Sequence, residues 1–223
     1  MPVDIKTTTD KPIRTRFLKI PYKLKEEVHR QEKEMEECGV LVKSDTDNVS
    51  CWVFVGKKDG TKRPCGDFRL LNEITVSDLF PMPRTDTLLE QIAGCNWYSA
   101  LDLSNGYLQL PLTENASRLC GIITDKGIYQ FTRMPFGLKN APAAFMRVMS
   151  EVFKGMDHFV VVYIDDIVIF TRGTFAQHLE HIRQVMERLN QYNPETCTKE
   201  MFLRQKRNRI SRSHRQSERL YSL

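Results

Sequence analysis

Two adjacent acidic residues separate two apolar segments of this chain. Residues 159–164 and 167–170 are rich in β-forming side chains, and the only residues between them are Asp165 and Asp166. A β-hairpin with both acids at its turn is therefore predicted. Carboxylates this close, beside apolar strands, require either a raised pKa or a cation. Ordinary turn chemistry is the alternative explanation for the pair, since Asp favours tight turns.

A third acidic residue favours a bound cation over ordinary turn chemistry. Asp102 stands near the end of a predicted strand over 98–103, and neighbouring strands would bring the three carboxylates to one edge. Carboxylate oxygens suit hard divalent cations of the Mg²⁺ type. Two such ions can clamp the attacking and leaving oxygens of a phosphoryl transfer. We therefore predict two Mg²⁺ ions, with Mn²⁺ as an alternative, on Asp102, Asp165 and Asp166.

The elements around these acids alternate between helices and hairpins. Helical segments are predicted at residues 25–38, 88–93, 141–153 and 175–189, with Gly39 as a C-cap for the first. One hairpin is predicted over residues 121–131, and another joins strands at 51–55 and 69–71 through a cationic tip at 57–63. This mixture, without an internal repeat, predicts an α+β fold.

Composition excludes several classes of protein. The chain has 223 residues, of which 41% are hydrophobic and 27% charged, as in globular proteins. Its longest apolar run is residues 159–164, and the six cysteines include no Cys-x-x-Cys pair. We therefore expect reduced intracellular thiols and no membrane span. The net charge of +5 lies in residues 190–223, so overall basicity is weak evidence for a nucleic-acid partner.

Ordered blocks of sequence connect these observations to a known family. They stand at residues 57–60 (Lys-Lys-Asp-Gly), 67–72, 101–107, 133–145 and 163–166 (Tyr-Ile-Asp-Asp). Their order and spacing, spanning about residues 12–189, resemble the reverse transcriptases of gypsy-like LTR retrotransposon Pol polyproteins. The tetrapeptide alone would be a weak signal, whereas the ordered set is specific.

The resemblance implies the fingers and palm of a right-hand polymerase, with a mostly antiparallel palm sheet packed on helices. These parts would be interleaved over residues 23–189, after an extended lead-in over 1–22, and the thumb would be missing. The implied activity is that of an RNA-directed DNA polymerase, a nucleotidyltransferase that adds dNTPs to a primer 3′-OH. The implied partners are an RNA or DNA template with its primer, and other Gag or Pol parts of the element. The implied location is the cytoplasm or a virus-like particle, with the nucleus as an alternative.

The resemblance also assigns roles to individual residues. Asp102, Asp165 and Asp166 would be the catalytic, metal-binding carboxylates. Leu103 would add a backbone oxygen to the metal site and belong to the nucleotide-binding set. These assignments agree with the prediction made from the acids themselves.

Five further residues would bind the nucleotide. Lys57 and Arg63 would hold triphosphate oxygens, and Arg suits this because its planar fork binds two oxygens. Tyr107 would exclude a 2′-OH, while Phe136 and Gly137 would touch the incoming nucleotide and the template. A solvated hairpin tip is the plainer interpretation of Lys57 and Arg63, and a core position is that of Tyr107.

Two histidines receive no role in this scheme. His178 and His181 lie three residues apart on the predicted helix over 175–189. They have the spacing of a metal-ligand pair, but a solvated helix face is the favoured interpretation.

The last 34 residues differ from the family pattern. Residues 190–223 are basic, with eight Lys or Arg against three Asp or Glu. Residues 205–214 can be written in codons that, read one base later, encode Lys-Lys-Glu-Ile-Glu-Phe-Leu-Gly-His, the segment expected in the family. Our hypothesis is an out-of-frame, disordered tail, against the alternative of a basic tail that binds phosphates. The chain as a whole would then be either a polymerase fragment or an inactive remnant, which acts at most as a binding module.

Overall fold

The computed structural model describes residues 2–56, 62–102, 106–164 and 166–192, without the side chains of Arg63 and Asp102. The helices are α1 (Tyr22–Glu37), α2 (Arg69–Ile74), α3 (Thr85–Ile92), α4 (Glu114–Leu119), α5 (Ala141–Val152) and α6 (Phe175–Tyr192). The strands are β1 (Leu41–Lys43), β2 (Trp52–Gly56), β3 (Lys62–Gly66), β4 (Trp97–Asp102), β5 (Gly121–Thr124), β6 (Gly127–Phe131), β7 (Val160–Tyr163) and β8 (Asp166–Thr171). A short 3₁₀ helix spans Gly106–Gln109.

The chain divides into two compact units. Unit 1 comprises Met1–Leu79 and Asn105–Phe145, and it contains a sheet of order β1-β6-β5 and the hairpin β2-β3. Its core is aromatic: the ring of Phe131 meets Trp52 and Phe68 edge to face, with centroids 6.0 and 6.2 Å apart. Such contacts add to the stabilisation that burial of these rings provides.

Unit 2 comprises Phe80–Ser104 and Met146–Leu223, and it is built on one antiparallel sheet of order β4-β8-β7. Helix α6 packs on β8 and β4. Its apolar side chain Val185 is fully buried, as are Ile167 and Ile169 of the central strand. The helix thus supports the sheet on one face, and alternation along β8 directs the intervening residues to the other.

Most of the elements predicted from sequence are confirmed. The hairpins β5–β6 and β7–β8 and the helices α1 and α5 form within a few residues of their predicted limits. Gly39 follows α1 with φ +66°, the left-handed conformation expected of a C-cap glycine. Helix α6 continues three residues beyond its predicted end, to Tyr192. Residues 193–223, which carry most of the tail hypothesis, lie outside the described residues.

One predicted strand is wrong. Residues 69–71 belong to α2, and the returning strand of the first hairpin is β3, paired with β2 in the register Trp52↔Gly66. The β2–β3 pairing therefore ends at Gly66, and Asp67 and Phe68 connect β3 to α2. Arg63 consequently lies in a strand instead of at the tip, and the tip itself, residues 57–61, is not described.

The lead-in over residues 1–22 joins unit 1 through isolated bridges. Val3 pairs with Leu112, Thr7 with Thr75, and the backbone N–H of Thr15 donates to the Val49 carbonyl. Among the described helices, none combines the length and apolar character needed to cross a bilayer. The described cysteines are free thiols, and Cys197 lies outside the described part of the chain.

Candidate active site

The acidic hairpin of unit 2 closes through a two-residue turn. Tyr163 of β7 pairs with Asp166 of β8, and Ile164 lies in the turn that follows β7. Ile164 has φ +55°, a conformation that costs a β-branched residue energy but fits the primed turns of tight hairpins. The prediction that both acids occupy the turn is therefore corrected, since Asp166 is the first residue of β8.

The strand register brings two of the three predicted carboxylate residues together. Asp102, the last residue of β4, lies directly opposite Asp166, the first residue of β8. Directly opposed residues of an antiparallel pair have Cα atoms about 4.5–5.5 Å apart. Asp166 is exposed, whereas its neighbour Ile167 is fully buried on the helix-facing side. Like charges at opposed positions are unfavourable, so this edge favours a cation.

Several predicted site residues cannot be described further. Asp165, Leu103 and Lys57 lie outside the described residues. The backbones of Asp102 and Arg63 are placed by strand pairing, Arg63 opposite Val55, but nothing is described of their side chains. Their roles stay predictions.

The predicted gate residue belongs to unit 1. Tyr107 lies in the short 3₁₀ helix and is 9% exposed. Its ring contacts Phe136 and Phe145 edge to face, each with centroids 5.7 Å apart. Two predicted nucleotide-binding residues, Tyr107 and Phe136, are thus in direct contact, and Phe145 fixes the tyrosine ring from a second side.

Gly137 sits in a loop that tolerates little change. Its φ is +94°, and a Cβ there would lie 3.4 Å from the Gly66 carbonyl oxygen. Gly66 is itself constrained, because a Cβ at that position would lie 2.3 Å from the Phe68 ring. Gly137 is favoured by its positive φ, and Gly66 by the close approach of the Phe68 side chain.

Asn72 on α2 holds this loop in place. Its side-chain Nδ2 donates to the Gly137 carbonyl, and its Oδ1 accepts from the Lys139 backbone N–H, both at 2.7 Å. Asn140 makes a similar pair of contacts, with the Val76 carbonyl and the Asp78 N–H. Sequence analysis included Asn72 in a motif without assigning it a role. Its place at the end of the 67–72 motif was the only available signal.

The start of α2 carries a bidentate ion pair. Arg69 donates from Nε and Nη2 to the two carboxylate oxygens of Asp67, at 2.8 and 2.7 Å. The hydrogen bond from Arg69 holds the pKa of Asp67 below its usual range. Asp67 therefore stays charged at neutral pH and holds the Arg69 guanidinium beside the start of α2.

The two histidines of α6 depart from their predicted environment. His178 is fully buried, with Nε2 2.9 Å from Ser99 Oγ and Nδ1 2.9 Å from Thr171 Oγ1. His181 is half-buried and stacks on the Phe159 ring. The expectation of a solvated helix face is wrong, because strand hydroxyls hidden in the sheet satisfy the polar atoms of His178.

The sequence of this chain matches a known protein family. The family model described as reverse transcriptase (RNA-dependent DNA polymerase) matches residues 55–199. The chain belongs to the reverse transcriptase family. Its resemblance to retrotransposon polymerases is confirmed, and by family it is a nucleotidyltransferase.

Relatives of this reverse transcriptase chain are mostly parts of polyproteins. It is 33% identical over 195 residues to the retrovirus-related Pol polyprotein from transposon 297 of Drosophila melanogaster, covering 85% of the chain and 18% of the polyprotein. It is 38% identical over 135 residues to the enzymatic polyprotein of soybean chlorotic mottle virus, covering 60% of the chain and 20% of that protein. An RNA-directed DNA polymerase homolog of Oenothera berteroana is 38% identical over 128 residues, 56% of the chain and 90% of the homolog.

Solved structures share the fold. The foamy viral protease-reverse transcriptase in complex with double-stranded DNA matches with a TM-score of 0.79 and 26% identity, over 88% of the chain and 34% of that protein. The same viral enzyme in complex with an RNA/DNA hybrid matches with a TM-score of 0.77 and 25% identity, over 86% of the chain and 26% of that protein. The predicted fold class, a fingers and palm polymerase fragment of mixed helices and antiparallel sheets, is confirmed.

Proposed function

We propose that this chain adds deoxynucleotides to the 3′-OH of a primer, copying an RNA or DNA template by two-metal phosphoryl transfer. The observation that carries the proposal is the opposition of Asp102 and Asp166 on paired strands. Family membership supports the same activity. Other Gag or Pol parts of an element, and a cytoplasmic or particle-associated location, belong to this proposal as well.

The donor chemistry of this edge fits hard divalent cations. The strand register opposes two acidic residues, and a third acid directly precedes Asp166 in the sequence, so every side-chain ligand would be a carboxylate oxygen. Asp102, Asp165 and Asp166, with the backbone oxygen of Leu103, would hold the ions. When bound there, a pair of Mg²⁺ ions would lower the pKa of the attacking hydroxyl and would neutralise charge on the leaving pyrophosphate.

Residues of unit 1 would bind and select the nucleotide. Tyr107, wedged against Phe136 and Phe145, presents a ring whose position is fixed by packing. A rigid ring of this kind excludes an extra 2′-OH by its bulk. Gly137 exposes backbone for close approach, and Lys57 and Arg63 would hold triphosphate oxygens.

The proposal is tested by single-nucleotide primer extension with the full chain. An RNA template and a DNA primer are supplied with Mg²⁺ and each of the four dNTPs in turn. We expect incorporation of the complementary dNTP only, because base pairing selects the nucleotide while the protein grips backbone and duplex shape. Folded protein that binds the duplex without incorporating any dNTP, in Mg²⁺ or Mn²⁺, would contradict the proposal and identify a binding module instead.

A further inference from the structure

The buried histidine of α6 connects the two strands that carry the opposed acids. Ser99 lies on β4, three residues before Asp102, and Thr171 ends β8, the strand that begins with Asp166. One imidazole ring contacts both hydroxyls, at 2.9 Å each. His178 therefore joins three elements, α6, β4 and β8, at a single point.

The need for such a connection follows from the sheet order. β4 is at the edge of this three-stranded sheet and, among the strands that the structure describes, it pairs only with β8. The register of an edge strand depends on that one ladder and on whatever packs against its face. On β4 these contacts include Ser99 with His178 and, two residues earlier, Trp97 with Phe175, whose rings are tilted by 50° with centroids 4.9 Å apart.

The chemistry of the ring suits the task. A neutral imidazole has one donor and one acceptor nitrogen, and each hydroxyl can complement either. His181 Nδ1 also lies 2.8 Å from Thr171 Oγ1, so the threonine hydroxyl is shared between the two histidines. Removing the ring would leave the buried Ser99 hydroxyl without this partner and Thr171 with His181 alone, and loss of a buried partner costs more than loss of an exposed hydrogen bond.

We propose that His178 is a positioning residue for the metal-binding edge: through Ser99 and Thr171 it fixes β4 against β8, and thereby Asp102 opposite Asp166. This inference rests on the proposed function, since it assumes that the opposed acids bind divalent cations. The ring lies on the helix-facing side of the sheet, whereas Asp166, one residue before the helix-facing Ile167, is on the other side. His178 thus acts through the strands and does not touch the ions.

The test uses variants of the full chain. Two of them remove hydrogen bonds of His178, and a control variant removes only apolar packing from the core. His178→Phe removes both hydroxyl contacts, and Ser99→Ala removes the β4 contact alone and keeps the ring. Val185→Ala, a fully buried position two turns further along α6, is the matched control. Mn²⁺ affinity is measured by electron paramagnetic resonance at a temperature where every variant is folded by circular dichroism, and kcat and the dNTP KM are measured by primer extension.

We expect His178→Phe and Ser99→Ala to weaken Mn²⁺ binding and to lower kcat about tenfold to a hundredfold, the range that a small misplacement of catalytic groups costs. The dNTP KM should stay unchanged, Val185→Ala should retain wild-type Mn²⁺ affinity, and His178→Gln should restore part of the loss. Equal effects of Val185→Ala and Ser99→Ala, or unchanged Mn²⁺ affinity in both connection-breaking variants, would overturn the inference.

The outcomes also separate this inference from the proposed function. Wild-type protein that binds Mn²⁺ but incorporates no dNTP would contradict the polymerase activity, and the Mn²⁺ affinities of the variants would still decide the role of His178. Wild-type protein whose Mn²⁺ binding is absent, or is unaffected by Asp166→Asn, would overturn both.

Discussion

Asp102 and Asp166 occupy directly opposed positions at the end of the β4–β8 ladder. The pair is formed by residues 64 positions apart in sequence, and the connecting chain includes all of β5 and β6. Pairing of β4 with β8 is therefore what would create the proposed divalent-cation site from separate motifs.

Mg²⁺ should stabilise the folded chain through this edge. At a hundred times the dissociation constant, a ligand that binds only the native state adds about 2.7 kcal/mol to the free energy of unfolding. We expect that gain in wild-type protein and its loss in Asp166→Asn, measured by urea denaturation with and without Mg²⁺. Asp157→Asn, at an exposed acid of the same unit, serves as the control. Equal stabilisation of all three proteins would contradict a site at this edge.

Tyr107 should control discrimination against ribonucleotides. Because Phe136 and Phe145 hold its ring in place, shortening the side chain in Tyr107→Val should open space for a 2′-OH. We expect the preference for dNTP over rNTP, measured as a ratio of kcat/KM values, to fall about tenfold to a hundredfold. Tyr107→Phe keeps the ring and should keep the preference. A preference unchanged in Tyr107→Val would show that another residue provides the discrimination.

Asn72 should matter for the conformation of the Gly137 loop. Asn72→Ala removes two hydrogen bonds that tie residues 137 and 139 to α2. We expect a loss of about 1–3 kcal/mol in the free energy of unfolding and a raised dNTP KM. Asn115→Ala, at an exposed position of α4, should change neither quantity. A normal KM in destabilised Asn72→Ala would separate the loop from nucleotide binding.

Unit 2 should lose stability in mild acid. Burial lowers the pKa of His178, with a further contribution from His181. Burial and His158 lower the pKa of His181, against smaller opposing effects of a backbone hydrogen bond with Phe170 and of Glu180. Because their pKa values are depressed in the folded state, these histidines bind protons more readily in the unfolded chain. Their contribution to the free energy of unfolding is therefore complete above pH about 6.5 and declines as the pH falls below it. Urea denaturation from pH 8 to 5.5 should show this decline, and His178→Gln should flatten it. Val185→Ala retains the titrating ring and should keep the wild-type slope.

Local pattern predicted the β7–β8 hairpin and the helices α1, α3, α5 and α6, because apolar runs and turn residues determine them within a few positions. The φ of Ile164 could not be predicted in this way, since isoleucine itself disfavours φ +55° and the two-residue turn imposes it. The strand predicted at 69–71 failed for a related reason. The register of β2 with β3, which is set by tertiary pairing, completed the hairpin before those residues.

The candidate site was likewise predicted in part from residue types, while the rest depended on tertiary contacts. Asp102 and Asp166 were identified from residue type and order, but their opposition depends on strand register. His178 was predicted to be solvated, because helical periodicity does not reveal that Ser99 and Thr171 offer buried hydroxyls. Asn72 reaches a loop 65 residues away, a contact that only the folded chain creates.

The central claim is that the acidic edge carries out nucleotide transfer, and its most direct test is single-nucleotide incorporation in Mg²⁺ by Asp165→Asn and Asp166→Asn beside Asp157→Asn. Removing a group that stabilises transition-state charge typically costs about a hundredfold to a thousandfold in kcat. We predict at least that loss for Asp165→Asn and for Asp166→Asn, each with the circular dichroism spectrum of the wild type. Incorporation by Asp157→Asn should be unchanged. Incorporation that survives both substitutions at the wild-type rate would show that the chemistry does not take place at this edge.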